Sequence, residues 1–422
     1  MKIKTSSITY LWIFIISVAF ALRCLPSLIF RPSWLEYVLV GGFGVLSLFF
    51  AFVVSKKKMV LLPVDFFWFL TPIFLVNSKT SNFKFIFYLI VTIVAYLVIQ
   101  VHPTAIKAIK YPFLCFAVLT SVVTWISFFA KDFYISRILS LFPESDSLVY
   151  SFLNKNMYHG FTNHYSRNAW YISIAIMLLF CELICRRRVK KAIVIPLIIF
   201  FTATQLLVAK RGPSLALIVT LFLVYILREP SFIKSLGKSV KFIIGAVVLF
   251  AMLYLFVPGV DNMITRVFTK GGSSDITTSR MYLWGIALQM FWQSPLFGSG
   301  WGGFLFRMRD TTNFQGVHND YLQYLAETGI VGFVYFVYKD IKTLILSVRV
   351  FKYFRTEAWN GTDEQYWLAL SLTMQIFILL YALTGLPHFS YEQYGLFTIL
   401  CGYSIGRYKS VRKMRTTLGG NK

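Results

Sequence analysis

His318 opens the segment 317–332, VHNDYLQYLAETGIVG, placing one imidazole just ahead of a long apolar run. An imidazole with an ordinary pKa of ~6.5 exchanges a proton near neutrality, so this residue is the first candidate for acid–base work. The second constellation is Lys210-Arg211-Gly212-Pro213-Ser214. Pro213 suits the first turn of a helix, so free backbone amides and the positive helix end would point where Arg211 does; an anion is the natural guest, and headgroup anchoring is the alternative. A third segment, 158–168, collects His159, His164, Tyr165 and Arg167. These either line a groove for a polar ligand or pack the loop on itself. Glu144 and Asp146 present two carboxylates two residues apart, but no His or Cys clusters with them, and no metal site or other cofactor is expected.

The elements that position these groups are set by composition. The 422 residues are 57% hydrophobic, 18% aromatic and only 14% charged, with mean hydropathy +0.66, which excludes a soluble core in a polar shell. About a dozen apolar runs approach the ~20 residues that cross a bilayer as a helix. They lie near 8–22, 34–54, 59–77, 83–101, 111–130, 169–185, 192–209, 214–227, 242–258, 329–347, 366–387 and 392–406. Backbone amides in lipid must be satisfied within the segment, so the expectation is an all-α integral membrane protein of about 12 spans. No small-residue cleavage site follows Lys2 and Lys4 before Arg23, so the first helix is read as a retained anchor.

Lysine and arginine orient these helices. With both termini inside, Lys56 to Lys58, Arg186 to Arg188, Arg228 to Lys241, Lys339 to Arg355 and the tail from Arg407 fall on inner loops, as the positive-inside tendency requires. The net charge of +25 is thereby mostly accounted for by loops that touch anionic lipid, and nucleic acid is not expected as a partner. The outer face is also net positive, which a polyanionic ligand would need. The five cysteines lie mostly within apolar runs and read as small buried hydrophobes. Asp65 and Glu182, also within spans, should face the bundle interior or sit near an inner boundary.

Two outer segments exceed ordinary connections. One runs from Lys131 to Asn168; the other, 259–328, is long enough to carry its own structure and part of the site. Within it Asp275 to Thr278 reads as a helix start, and Arg280 to Trp292 is apolar enough to lie on the membrane surface. Pro295 ends that helix, and Gly298, Gly300, Gly302 and Gly303 form a turn around Trp301. Residues 1–422 otherwise read as one domain. The spacing of Gly329 and Gly332 predicts a close helix–helix approach under the site.

His318-Asn319, nine residues, Gly329, two residues and Gly332 resemble the signature of the O-antigen ligase and O-antigen polymerase (Wzy-type) superfamily. Arg280, Trp284, Pro295-Leu296-Phe297-Gly298 and Gly300 resemble its large outer loop, and Arg211 its preceding basic turn; the likeness covers roughly residues 205–335. The resemblance implies a metal-independent, inverting glycosyl transfer from an undecaprenyl-diphosphate-linked glycan at the outer face of the bacterial cytoplasmic membrane. Arg211 and Arg280 would clamp the diphosphate with Lys210 adding a point charge, and His318 would accept the acceptor's proton or orient it. Asn319 would fix the ring or the sugar, His164 and Arg167 would line an acceptor groove, and Trp301 would stack on sugar. Each has a plainer reading: a polar helix terminus, a snorkelling cation, an interfacial aromatic belt. Arg307 and Arg309 are as basic as Arg280 and would serve as clamp equally well. A repeat-unit polymerase for capsule or exopolysaccharide is expected ahead of a ligase, with a chain-length regulator and a flippase as partners. A lipid-linked oligosaccharide transporter is the competing class, disfavoured because polarity concentrates in one asymmetric loop.

Overall fold

The computed structural model describes residues 5–23, 25, 33–54, 60–75, 78, 83–142, 153, 157–186, 188–229, 231–256, 280–309, 316–355 and 361–419. Among these the chain is all helical, without a strand. Fourteen segments organise it: α1 (Thr5–Leu22), α2 (Ser33–Leu48), α3 (Pro63–Leu70), α4 (Phe83–Val101), α5 (Lys110–Phe129), α6 (Tyr165–Cys185), α7 (Lys191–Val208), α8 (Arg211–Leu227), α9 (Phe232–Phe256), α10 (Arg280–Gln293), α11 (Gly303–Met308), α12 (Asp320–Phe354), α13 (Asp363–Tyr381) and α14 (Tyr391–Gly419). A helix lies over each apolar run. Five stretches, 34–53, 83–101, 103–129, 165–185 and 191–208, are long and apolar enough to cross a bilayer, and shorter apolar helices cover 6–22, 63–75 and 211–227. This is a membrane protein.

α6 is the hub. Its residues are almost all buried, and it packs against α5, α7, α8 and α13. It begins four residues before the expected 169, because the His164 side chain caps it, Nδ1 accepting from the Ser166 amide at 3.0 Å. Its far end is tied by charge: Glu182 pairs with Lys110 at 2.6 Å and Arg186 with Asp363 at 2.9 Å. Asp65 likewise has a structural task, since it caps the Leu62 amide and pairs with Lys409 at 2.7 Å, with Tyr96 and Gln100 donating to its other oxygen. A carboxylate fully removed from solvent persists because every lone pair is used. The four described cysteines are free.

The largest departure from expectation is α12. The apolar run expected at 329–347 falls on its second helix, 330–354; a first helix, 320–328, precedes it and joins it at Gly329, whose φ of 63° and ψ of −168° lie outside the helical region. On a straight helix Asp320 and Asp340 would stand ~30 Å apart. Instead opposite edges of one imidazole, His388, touch both, at 2.7 Å and 3.3 Å. Tyr324 and Phe336 also stack face to face with centroids 4.3 Å apart. The chain therefore reverses at Gly329, and 320–328 runs back along the first turns of the following helix.

The glycine turn after α10 makes this reversal possible. Ser299 N and Gly300 N donate to Ala326 O and Glu327 O, while Ile330 N and Val331 N donate to Pro295 O and Leu296 O. Amides and carbonyls orphaned by the break are thus satisfied by a second strand of backbone. A Cβ on Gly329 would collide with the Leu296 carbonyl, and one on Gly298 with Glu327 and Thr328. The expected role of Gly329 as a small residue between two helices is corrected accordingly: a loop, not a helix, approaches it. The expected helix start at 275–278 lies outside the described residues, and α10 ends at Gln293, ahead of Pro295.

Candidate active site

The turn between α7 and α8 is only two residues long. Ala209 ends α7 with φ 54°, and Lys210 follows in extended conformation before Arg211 starts α8. Pro213 is buried in the first turn, and Gly212 lies so close to Thr384 that a Cβ would clash with its hydroxyl. The first amides of α8 and its positive dipole end thus share one place with Lys210 and Arg211.

His318 meets that place from the other side. Its backbone is left-handed, φ 56°, two residues before the descending helix of the hairpin. Among the described residues, Ala209 and His318 alone among non-glycine residues have such a backbone. Each conformation costs about 1–2 kcal/mol, and such strain concentrates at functional sites. Burial, then the fields of Lys210 and Arg280, push the His318 imidazole down to about 4, so it stands neutral at physiological pH. No hydrogen bond ties its ring to a described residue, and it remains partly exposed.

His164 completes the cluster. Burial lowers it to about 3, with Lys210, Arg167 and His318 adding to the effect. Because its Nδ1 accepts from Ser166 N, its proton resides on Nε2. Lys210 donates to the Tyr165 hydroxyl at 3.3 Å and lies 4.7 Å from that ring's centroid. Arg167 binds Asn163 at 2.8 Å and faces Glu392 at 4.0 Å. Arg280 opens α10, and its field reaches Tyr381 as well as His318. The structure thus brings His318, Lys210, Arg280 and His164 together, with Arg211 and Arg167 on the same turns.

Two residues given ligand roles from sequence are occupied otherwise. Asn319 caps the descending helix, its Oδ1 accepting from Leu322 N at 3.1 Å and its Nδ2 donating to Leu383 O. Trp301 stacks on Phe389 with centroids 4.4 Å apart and packs against Phe85, Tyr324 and Phe336. Arg307 is held by Gln289 and Gln293, both at 3.0 Å. Glu144 and Asp146 lie outside the described residues; among the described ones no cluster suited to a metal occurs.

Three buried groups escaped the sequence reading. Asp320 and Glu327 lie in the segment that the sequence places at the outer face, yet both are fully buried. Glu327 accepts from Gly302 N, Phe304 N and Gln323 Nε2, and burial nonetheless pushes it up to about 8. His388, between Asp320 and Asp340, sits in Leu386-Pro387-His388-Phe389 at the end of an apolar run. A titratable residue there is costly unless paired, and that was the available signal.

Comparison with curated proteins gives no significant match. Residues 196–337, from α7 through the hairpin, match the family model Wzy_C, O-antigen ligase. That segment contains Lys210, Arg211, Arg280 and His318, so the part of this membrane protein that holds the candidate site is similar to the O-antigen ligase family.

Proposed function

We propose that the protein is a metal-independent, inverting glycosyltransferase that polymerises undecaprenyl-diphosphate-linked repeat units into a capsular, exo- or O-antigen polysaccharide at the outer face of the bacterial cytoplasmic membrane. The observation that carries this reading is the neutral imidazole of His318, held in a left-handed turn within the fields of Lys210 and Arg280. Arg211 and Arg280 bind the donor diphosphate and Lys210 adds charge. His318 takes the proton from the acceptor hydroxyl as that oxygen attacks the anomeric carbon. The bond from carbon to phosphate oxygen breaks on the opposite face, and the lipid diphosphate leaves with the electron pair. His318 is a weak base while the site holds only cations. The arriving diphosphate offsets those fields, raising the imidazole's basicity when it is needed and placing donor before acceptor in binding order.

Both termini face the cytoplasm in this reading, about 12 spans cross the membrane, and a flippase and a chain-length regulator act beside it. The likeness of residues 196–337 to an O-antigen ligase family supports a ligase as the second reading, with a different acceptor and the same donor chemistry. The deciding experiment supplies purified protein with undecaprenyl-diphosphate repeat units and resolves the glycans on a gel. A ladder made by the native chain and lost in His318→Ala supports a polymerase. A single transfer seen only when another acceptor is added supports a ligase, and no transfer to any acceptor sinks both. Arg280→Lys keeps the charge but loses the planar fork, so donor turnover should fall by about tenfold or more.

A further inference from the structure

The hairpin of α12 closes over a charged cluster that the transfer reaction does not use. Asp320, the first residue of the descending helix, is fully buried, and its Oδ2 accepts both the His388 amide, at 3.1 Å, and His388 Nδ1, at 2.7 Å. The other ring nitrogen faces Asp340 at 3.3 Å, a charge contact off the hydrogen-bond direction. Lys339 lies 3.3 Å from the second oxygen of Asp340, donates to the Tyr394 hydroxyl and sits over Trp68, 3.9 Å from its centroid. All four ionisable groups are at most 3% exposed.

Such a cluster is a poor source of stability. Desolvating four charges costs about as much as their attraction returns, and apolar replacements of similar volume often serve as well or better. Asp320 Oδ1 has no hydrogen-bond partner, so the arrangement is not even fully satisfied. What charge supplies that packing does not is one defined register, as buried polar groups do elsewhere. Here the register matters, because Asp320 lies two residues from His318 and its backbone amide is also tied, to Ala382 O at 2.9 Å. Asp340 stands on the long second helix, and His388 on the link between α13 and α14. His388 therefore connects the base of the hairpin to two rigid elements at once.

We propose that His388 is a positioning residue for the reaction: held by Asp340, it hooks Asp320 and so sets the left-handed turn that presents His318 to Lys210 and Arg280. This rests on the proposed function for its kinetic readout. The hook acts on the geometry of a group that touches substrate, so misplacing it slows turnover more than it weakens donor binding.

The test uses the full chain in detergent or nanodiscs with His388→Gln, Asp320→Asn and the double variant. Each single change should lower kcat by about 30- to 100-fold while KM for the lipid-linked donor stays within about twofold. The double variant should be no worse than the worse single one, because both break the same link. Independently of any glycan, the ring signals of ¹³C-histidine-labelled protein, with His318 identified through His318→Gln, should show a shifted His318 titration midpoint in both single variants. Unchanged kcat, losses that multiply in the double variant, or a lowered unfolding temperature with an unmoved His318 midpoint would each overturn the proposal. Should His388→Gln fail to fold, the near-isosteric Asp320→Asn decides alone. Should the native chain transfer no glycan, the proposed function fails and the His318 midpoint by itself decides the positioning role.

Discussion

Three histidines at one end of the bundle are held neutral, and this has a signed consequence for stability. His318 and His159 are lowered to about 4 and His164 to about 3, burial being the first cause in each. Between those values and the unfolded pKa of ~6.5 the unfolded chain binds more protons than the folded one. Stability is therefore fully present above ~6.5 and is lost progressively as pH falls toward 4. Melting of the solubilised protein should show this, with a lower midpoint at pH 5 than at pH 7.5. In His164→Asn the cap on α6 survives, since Asn is as good an N-cap, so stability at pH 7.5 should change by no more than about 0.5 kcal/mol. The drop on acidification should shrink; an undiminished drop would remove His164 from this account.

The two turns that build the site make opposite demands on their residues. Gly329 has no room for a Cβ, because the Leu296 carbonyl occupies that space and the backbone is left-handed. Gly329→Ala should cost about 3 kcal/mol or more, read as a lowered unfolding midpoint and lost transfer activity. A variant as stable as the native chain would refute the loop-to-hairpin exchange of hydrogen bonds. Ala209 is the reverse case, an L-residue in a conformation that glycine adopts freely. Ala209→Gly should raise stability by about 0.5–1 kcal/mol with Lys210 kept in place, measured by the same melt. Glu327 links the two halves by accepting from the Gly302 and Phe304 amides. Glu327→Gln aims an amide at those donors, and a loss of about 1–3 kcal/mol is expected in the same melt.

Across the molecule the helices sort their ends by task. α6 runs from His164, beside Lys210, to Arg186, beside Asp363, and α8 runs from Lys210 to Arg228, whose neighbouring carbonyls of Leu227 and Glu229 accept from Arg355. Ala209 and His318, with their left-handed backbone, lie at the first end, and the Arg186–Asp363 pair closes the other. If the His318 end faces outward, phosphatase reporters fused after residue 209 should be active and those after 229 inactive. The opposite pattern would reverse the proposed orientation and place the site on the wrong side for lipid-linked repeat units.

Composition alone determined that the chain is helical and membrane-inserted, because lipid leaves the backbone no other way to satisfy its amides. The candidate residues Lys210, Arg211, Arg280 and His318 were legible as well, since cations and an imidazole stand out against an apolar sequence and their spacing matches a family pattern. Hairpin and charged hook were not. The sequence placed an apolar span at 329–347 and ended the outer segment at 328, so the helix 320–328 and its reversal at Gly329 went unread; the approach of 295–300 is what makes that break stable. The burial of Asp320 and Glu327 was not legible either, because burial is a property of what packs around a residue, here His388 and the glycine turn. For Asn319 and Trp301 the sequence left a ligand role and a plainer one open, and tertiary contacts engage both with the protein itself. Sequence carries residue types and local preference; which polar groups are left facing the substrate is decided by long-range contacts that satisfy the others.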